Sequence, residues 1–116
     1  MHLFVIVLNK GSVEVEPMKV RLSDFKKKYF DLEVLRIKSL MLDNQRAVIT
    51  LGNFENSTKA ADFLVAVENN DYVLSGLSEA DYEIFTISVN NYPILYREKN
   101  VTAYLEYYKE YYITEK

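Results

Sequence analysis

The side chains able to do chemistry are few and scattered along this sequence. Its one histidine, His2, stands beside the first residue, so a histidine-based triad or metal cluster has no second member. There is no cysteine in the 116 residues, which excludes disulfides and thiolate metal sites. Carboxylates pair closely as Glu14 with Glu16 and as Asp81 with Glu83, at strand or loop spacing. General acid–base work would need an apolar pocket to raise one pKa of such a pair, and neither pair has one evident around it. The three glycines, Gly11, Gly52 and Gly76, lie too far apart to form a phosphate-cradling loop. The expectation is a protein with no catalytic residues, no bound metal and no cofactor.

Tyrosine is the unusual population, ten residues against no tryptophan. Near the C-terminal end Val101, Leu105, Tyr108 and Tyr112 recur at helical spacing and form one face, while Tyr104, Tyr107 and Tyr111 form a second. Such rings either pack half-buried with the hydroxyl in water or offer a partner or a glycan a large rigid contact area at low entropic cost. Tyr104, Tyr107 and Tyr111 fall off the face that best explains burial, so they are the candidate interaction surface. On this reading, replacing all three with alanine leaves the fold intact and weakens a partner.

The elements that must carry these residues follow from periodicity. Residues 3–8 are continuously apolar and β-branched, as in a central strand buried on both faces. From Pro17 the residues Met18, Leu22, Phe25 and Tyr29 mark one face of a helix over 17–29, or of a shorter one capped by Ser23. Two strand-like runs, 32–42 and 46–54, flank the turn-forming Asp43-Asn44-Gln45. In the first, Leu35 and Ile37 point to one face and Leu40 and Leu42 to the other, a phase change that a bulge near Ser39 would reconcile. The second run reaches Gly52, where glycine's freedom suits a turn into a helix capped by Asn56 or Ser57. Ala60, Phe63, Leu64 and Val67 form the apolar face of that helix, and Asn69-Asn70 are suited to a left-handed cap. A turn of helix and a loop over 71–81 lead to a fourth strand, 82–89, with Phe85, Ile87 and Val89 on one face. A proline-started helix over 92–98 and a last helix from 101 to about 112, capped by Asn100, close the chain.

The order is β-α-β-β-α-β with a helical appendage. It predicts an α+β protein, a ferredoxin-like sandwich with both crossover helices on one face of a four-stranded sheet and a C-terminal helical appendage. The length fits a single domain, 1–116. A formal charge of −3 and a pI near 5.2 give no electrostatic footing for nucleic acid. The one basic cluster, Lys19, Arg21, Lys26, Lys27 and Lys28, reads as a solvated helix face. The third strand, Arg46 to Leu51, also lacks the aromatics of an RNA-binding sheet, and Asn9-Lys10-Gly11-Ser12 lacks the arginine of an acyl-phosphatase anion loop. No apolar run approaches the ~20 residues of a membrane span, so direct insertion of this domain in a membrane is not expected.

Two resemblances add to this reading. Val48-Ile49-Thr50-Leu51-Gly52-Asn53-Phe54 followed by Ala60-Ala61 resembles the signature of SPOR domains, bacterial modules of this sandwich fold that bind peptidoglycan glycan strands stripped of their peptides. Over nearly the whole chain, His2-Leu3-Phe4-Val5-Ile6-Val7, Leu22-Ser23-Asp24-Phe25, the Val48 to Phe54 run, Tyr82 to Tyr92 and Tyr104-Leu105-Glu106-Tyr107-Tyr108 resemble, in order, a C-terminal domain of Bacteroidetes lipoproteins. These are the tetratricopeptide-repeat proteins of the gliding motility and type IX secretion (PorW/SprE) family. The resemblance implies a periplasmic domain at the C-terminus of a longer repeat protein, tethered through the full-length lipoprotein. An opening strand with no signal-like leader fits an excised domain. The function expected is a non-catalytic interaction module of the cell envelope with protein partners there, or else a SPOR-like domain binding peptidoglycan.

Overall fold

The computed structural model describes residues 1–9, 15–30 and 35–110. Strand β1 (His2–Asn9) is followed by helix α1 (Val15–Tyr29), the hairpin β2 (Arg36–Met41) and β3 (Arg46–Phe54), and helix α2 (Ser57–Glu68). A short 3-10 turn over Glu79–Asp81 then leads into β4 (Tyr82–Ser88), α3 (Tyr92–Glu98) and α4 (Val101–Tyr108). The four strands form one sheet in the order β2-β3-β1-β4, with every neighbouring pair antiparallel. The protein is therefore α+β, a four-stranded antiparallel sheet with helices packed against it.

Five consecutive residues of β1, Phe4 to Leu8, are buried, so both faces of the sheet carry a core. On one face Phe4, Ile6 and Leu8 meet Ile49, Leu51 and Phe54 of β3 beneath α1 and α2. Phe63 of α2 is the hub of this layer: its ring lies 4.9 to 5.5 Å from those of Phe4, Phe25, Phe30 and Phe54. On the other face Val5, Val7, Val48, Phe85 and Ile87 pack with Leu95 of α3 and Val101 and Tyr108 of α4. The terminal helices are thus the second layer of the core. Replacing Phe63 with alanine is expected to cost ~3–5 kcal/mol, the range for deleting a buried aromatic, read from urea unfolding. A loss below about 1 kcal/mol would mean that the four rings close over the gap.

Helix signals in the sequence hold with shifted ends. α1 starts at Val15, so Pro17 lies in its first turn, where the missing N–H costs nothing. Met18, Leu22 and Phe25 are buried, but Tyr29 turns outward and is exposed. In α2 the cap is Asn56, whose Oδ1 accepts from the Lys59 N–H at 2.9 Å, and Ala60, Phe63, Leu64 and Val67 are all buried. Its other end closes without a left-handed residue, since Asn69 has φ −92° and donates to Val65.

Two expectations about β-structure are corrected. β2 pairs with β3 in unbroken register from Arg36 opposite Gly52 to Met41 opposite Ala47, so there is no bulge at Ser39. None is needed, because Leu42 is buried in the apolar second face while Leu40, on that same face, is left exposed. The bulge is in β3 instead. Between the pairs His2 with Phe54 and Phe4 with Leu51, β3 advances three residues against two on β1. That extra residue returns Phe54 to the face already used by Ile49 and Leu51. Gly52 does not end the strand or adopt a left-handed angle, as Gly76 does at φ 78°. What it supplies is room, since a Cβ there would stand 2.5 Å from Leu3 Cδ2.

The β2–β3 turn is tied to the C-terminal helices through Arg46, which is held by Asp43. The Asp43 Oδ1 accepts from the Gln45 and Arg46 N–H groups, both at 2.8 Å, and its Oδ2 accepts from Arg46 Nη2 at 2.7 Å. The same Nη2 donates to the carbonyl of Lys99 between α3 and α4 at 3.0 Å. The Arg46 side chain and the Gln45 N–H hold the Asp43 carboxyl below its usual pKa. A depressed folded-state pKa stabilises the fold above the unfolded value and ceases to do so as pH falls through the folded value. Asp43→Asn is therefore expected to be less stable than wild type at neutral pH, with the gap closing as pH falls below the ordinary aspartate range. A gap independent of pH in thermal melts would show that the carboxylate charge does not matter.

Candidate interaction surface

The tyrosine-rich end is built from the turn that joins α3 to α4. Leu95 fixes α3 on the sheet, and Lys99 closes the helix with φ 58°, its N–H donating to the Leu95 carbonyl at 2.7 Å. Asn100 then starts α4, its Oδ1 accepting from the Ala103 N–H at 3.0 Å, as its sequence position predicts. The two helices leave a cleft of about 360 Å³ between them. Ile94, Leu95, Tyr104 and Tyr107 line its apolar part, and Asn91, Glu98 and Asn100 supply polar groups. Ile94 is 44% and Tyr107 41% exposed, enough to offer apolar surface at the cleft.

The three tyrosines singled out from the sequence differ in what they do. Tyr104 is half-buried, with its ring 5.0 Å from Phe85 and its hydroxyl donating to the Thr86 carbonyl at 2.6 Å. It anchors α4 against β4 while one side of it lines the cleft. Tyr107 is the exposed member, 5.6 Å from the Tyr104 ring. Tyr111 lies outside the described residues. The expectation that all three can be removed without harm to the fold does not suit Tyr104, because the hydroxyl bonds backbone and the ring packs in the core.

Tyr108 is buried as its spacing predicts, at the edge of β4. Burial pushes its phenol above the ordinary range and Glu68 adds to this, while hydrogen bonding to Thr86 pulls the other way. Tyr92, at the start of α3, is also pushed up, mainly by burial and then by Tyr96. Ile94 and Glu98 at the surface, and Leu95 at the base of the cleft, are the lining residues that spacing missed. α3 is too short for a helical stripe to show, and only the fold brings it beside α4.

Of the acidic pairs, Asp81 is occupied with the turn before β4, its carboxylate accepting from the Ser78 N–H at 2.9 Å, while Glu83 is exposed on β4. Glu14 lies outside the described residues, and Glu16 sits 3.8 Å from Lys19 on α1. Among the described residues no three His, Cys, Asp or Glu side chains converge on a metal-sized site, and no helix is long and apolar enough to cross a membrane. Compared with protein-family models, with curated proteins and with solved structures, the chain finds no match.

Tyr104→Phe is expected to lose about 1 kcal/mol of stability, the usual worth of one hydrogen bond, and Tyr104→Ala distinctly more. Tyr107→Ala should stay within about 0.5 kcal/mol of wild type, as an exposed side chain does. Chemical denaturation of the three variants measures this ranking. Equal losses at both positions would remove the distinction between anchor and surface.

Proposed function

We propose that this chain is a non-catalytic interaction module, the C-terminal domain of a periplasmic repeat lipoprotein that takes part in a type IX secretion or gliding-associated assembly of the cell envelope. The observation that carries the interaction reading is the α3–α4 cleft, which presents Ile94 and Tyr107 beside a rim of amide and carboxylate groups. An apolar centre with a polar rim is the usual anatomy of a protein-binding patch, and tyrosine is over-represented among the residues that dominate such binding. The family part of the proposal rests on the ordered sequence resemblance from His2 to Tyr108. The strand order β2-β3-β1-β4, with α1 and α2 on one face, supports a ferredoxin-like, SPOR-like sandwich to which α3 and α4 are appended.

A SPOR-like glycan binder is the second reading. The strand-turn-helix from Val48 to Ala61 favours it, but helices lie over both sheet faces and leave a polysaccharide strand little open sheet. Site-specific photo-crosslinking in the full-length protein tests the first reading. A photoreactive residue at Tyr107 should capture a defined envelope protein, and one at Val20 on α1, exposed on a different face, should not. Capture from Val20 alone, or from neither, would overturn it. Sedimentation with amidase-treated sacculi, unaffected by Tyr107→Ala, would favour the glycan reading instead.

A further inference from the structure

We infer that a bay beside the β3 bulge binds small organic anions, a carboxylate or a phosphate monoester carried on an apolar body. The bay holds about 470 Å³ and lies on the sheet face that α3 and α4 cover only in part. Leu3, Thr50 and Gly52 form its floor, Tyr92 one wall, and Arg36 and Lys38 the opposite side.

The two cations are placed there by register. Residues two apart on a strand share a face, and on β2 Arg36 and Lys38 lie opposite Gly52 and Thr50 of β3. Gly52 leaves the Leu3 side chain room to pack over the strand, where a Cβ would stand 2.5 Å from Leu3 Cδ2, so the floor beside the two cations is apolar. Three cations of this chain have carboxylate neighbours: Arg46 has Asp43, Lys19 has Glu16 and Lys59 has Glu55. Neither Arg36 nor Lys38 pairs with a carboxylate among the described residues, and no acidic residue lines the bay. In a chain of net charge −3 that is a local reversal of sign. Charges on an edge strand also guard against strand addition. That role asks nothing of the floor beneath them, whereas here the polar residues Thr50 and Asn53 line the same cavity.

An anionic headgroup seated between Arg36 and Lys38 would take charge-assisted hydrogen bonds from both, with Arg36 offering the planar fork that fits carboxylate and phosphate. The rest of the ligand would lie against Leu3, Val89 and the Tyr92 ring. Size and lining suit a small molecule.

The inference is independent of the α3–α4 cleft and is tested on the full chain by amide-shift titration with phenyl phosphate, benzoate, inorganic phosphate and phenol. Phenyl phosphate or benzoate should shift Arg36, Lys38, Thr50, Gly52 and Asn53 saturably, and the tighter of the two identifies the headgroup. Inorganic phosphate should bind more weakly than phenyl phosphate, and phenol should leave these amides unmoved. The double variant Arg36→Gln, Lys38→Gln should raise the midpoint about tenfold or more. Both side chains are exposed, so its melting temperature should match wild type, and Lys38→Gln alone gives a second reading. Tyr107→Ala should change nothing here. Shifts that grow without saturating, shifts centred on the lysines of α1, equal binding of inorganic and phenyl phosphate, or an unchanged midpoint in the double variant would each overturn the inference.

Discussion

A strand that is apolar on both faces has to be covered on both faces, and β1 imposes that condition on the whole chain. Phe4, Ile6 and Leu8 point one way and Val5 and Val7 the other, all nearly inaccessible to water. One layer comes from the crossover helices α1 and α2, which any β-α-β-β-α-β chain possesses. The other must come from outside that unit. Here it comes from α3 and α4, with Leu95, Val101 and Tyr108 closing over Phe85 and Ile87. Helices that read as an appendage in chain order are therefore an obligate part of the core, since exposing their floor would return several aliphatic side chains and a phenylalanine to water.

The same layer also serves the sheet edges. The order β2-β3-β1-β4 leaves β2 and β4 outermost, and an unpaired edge invites another strand. Tyr104 donates its hydroxyl to the Thr86 carbonyl of β4, and Tyr96 donates to the Met41 carbonyl of β2 at 3.3 Å. Tyrosine suits this task because its ring packs on apolar neighbours while its hydroxyl reaches backbone at the rim. Tyr96 and Tyr104 thus have a structural role before any partner is invoked. Tyr107 exceeds that need, with 41% of its surface still exposed at the cleft.

What could be read from the sequence was whatever depends on local spacing. The burial of Met18, Leu22 and Phe25, the Asn56 and Asn100 caps and the four apolar positions of α2 follow from helical period and capping chemistry alone. What could not be read depends on register between distant segments. The phase change from Leu35 and Ile37 to Leu42 needs no bulge once α3 and α4 fold back and give Leu42 a second core to enter, while Leu40 on the same face stays exposed. The bulge at Gly52 and Asn53 is visible only opposite Leu3. The anchoring role of Tyr104 is of the same kind, since helical spacing separates the faces of α4 but does not reveal that Thr86 stands behind one of them. The cleft shares this limit, half of it being α3.

Element lengths also fix where surface is left open. At ~1.5 Å per helical residue the seven residues of α3 span only about 10 Å, while the nine of β3 extend to about 30 Å at ~3.3 Å each. α3 begins at Tyr92 near Leu3 and Thr50, and the turn after it is held to the β2–β3 hairpin through Lys99 and Arg46. α4 then runs along β4 through Tyr104 and Tyr108. A path fixed at the hairpin and along β4 leaves the corner formed by Arg36, Lys38, Thr50 and Gly52 without a helix. Because that corner lies on an edge strand, its uncovered positions can carry charge without burying it. The cleft and the bay thus arise from one geometric fact: two short helices close the second core but cannot close the second face.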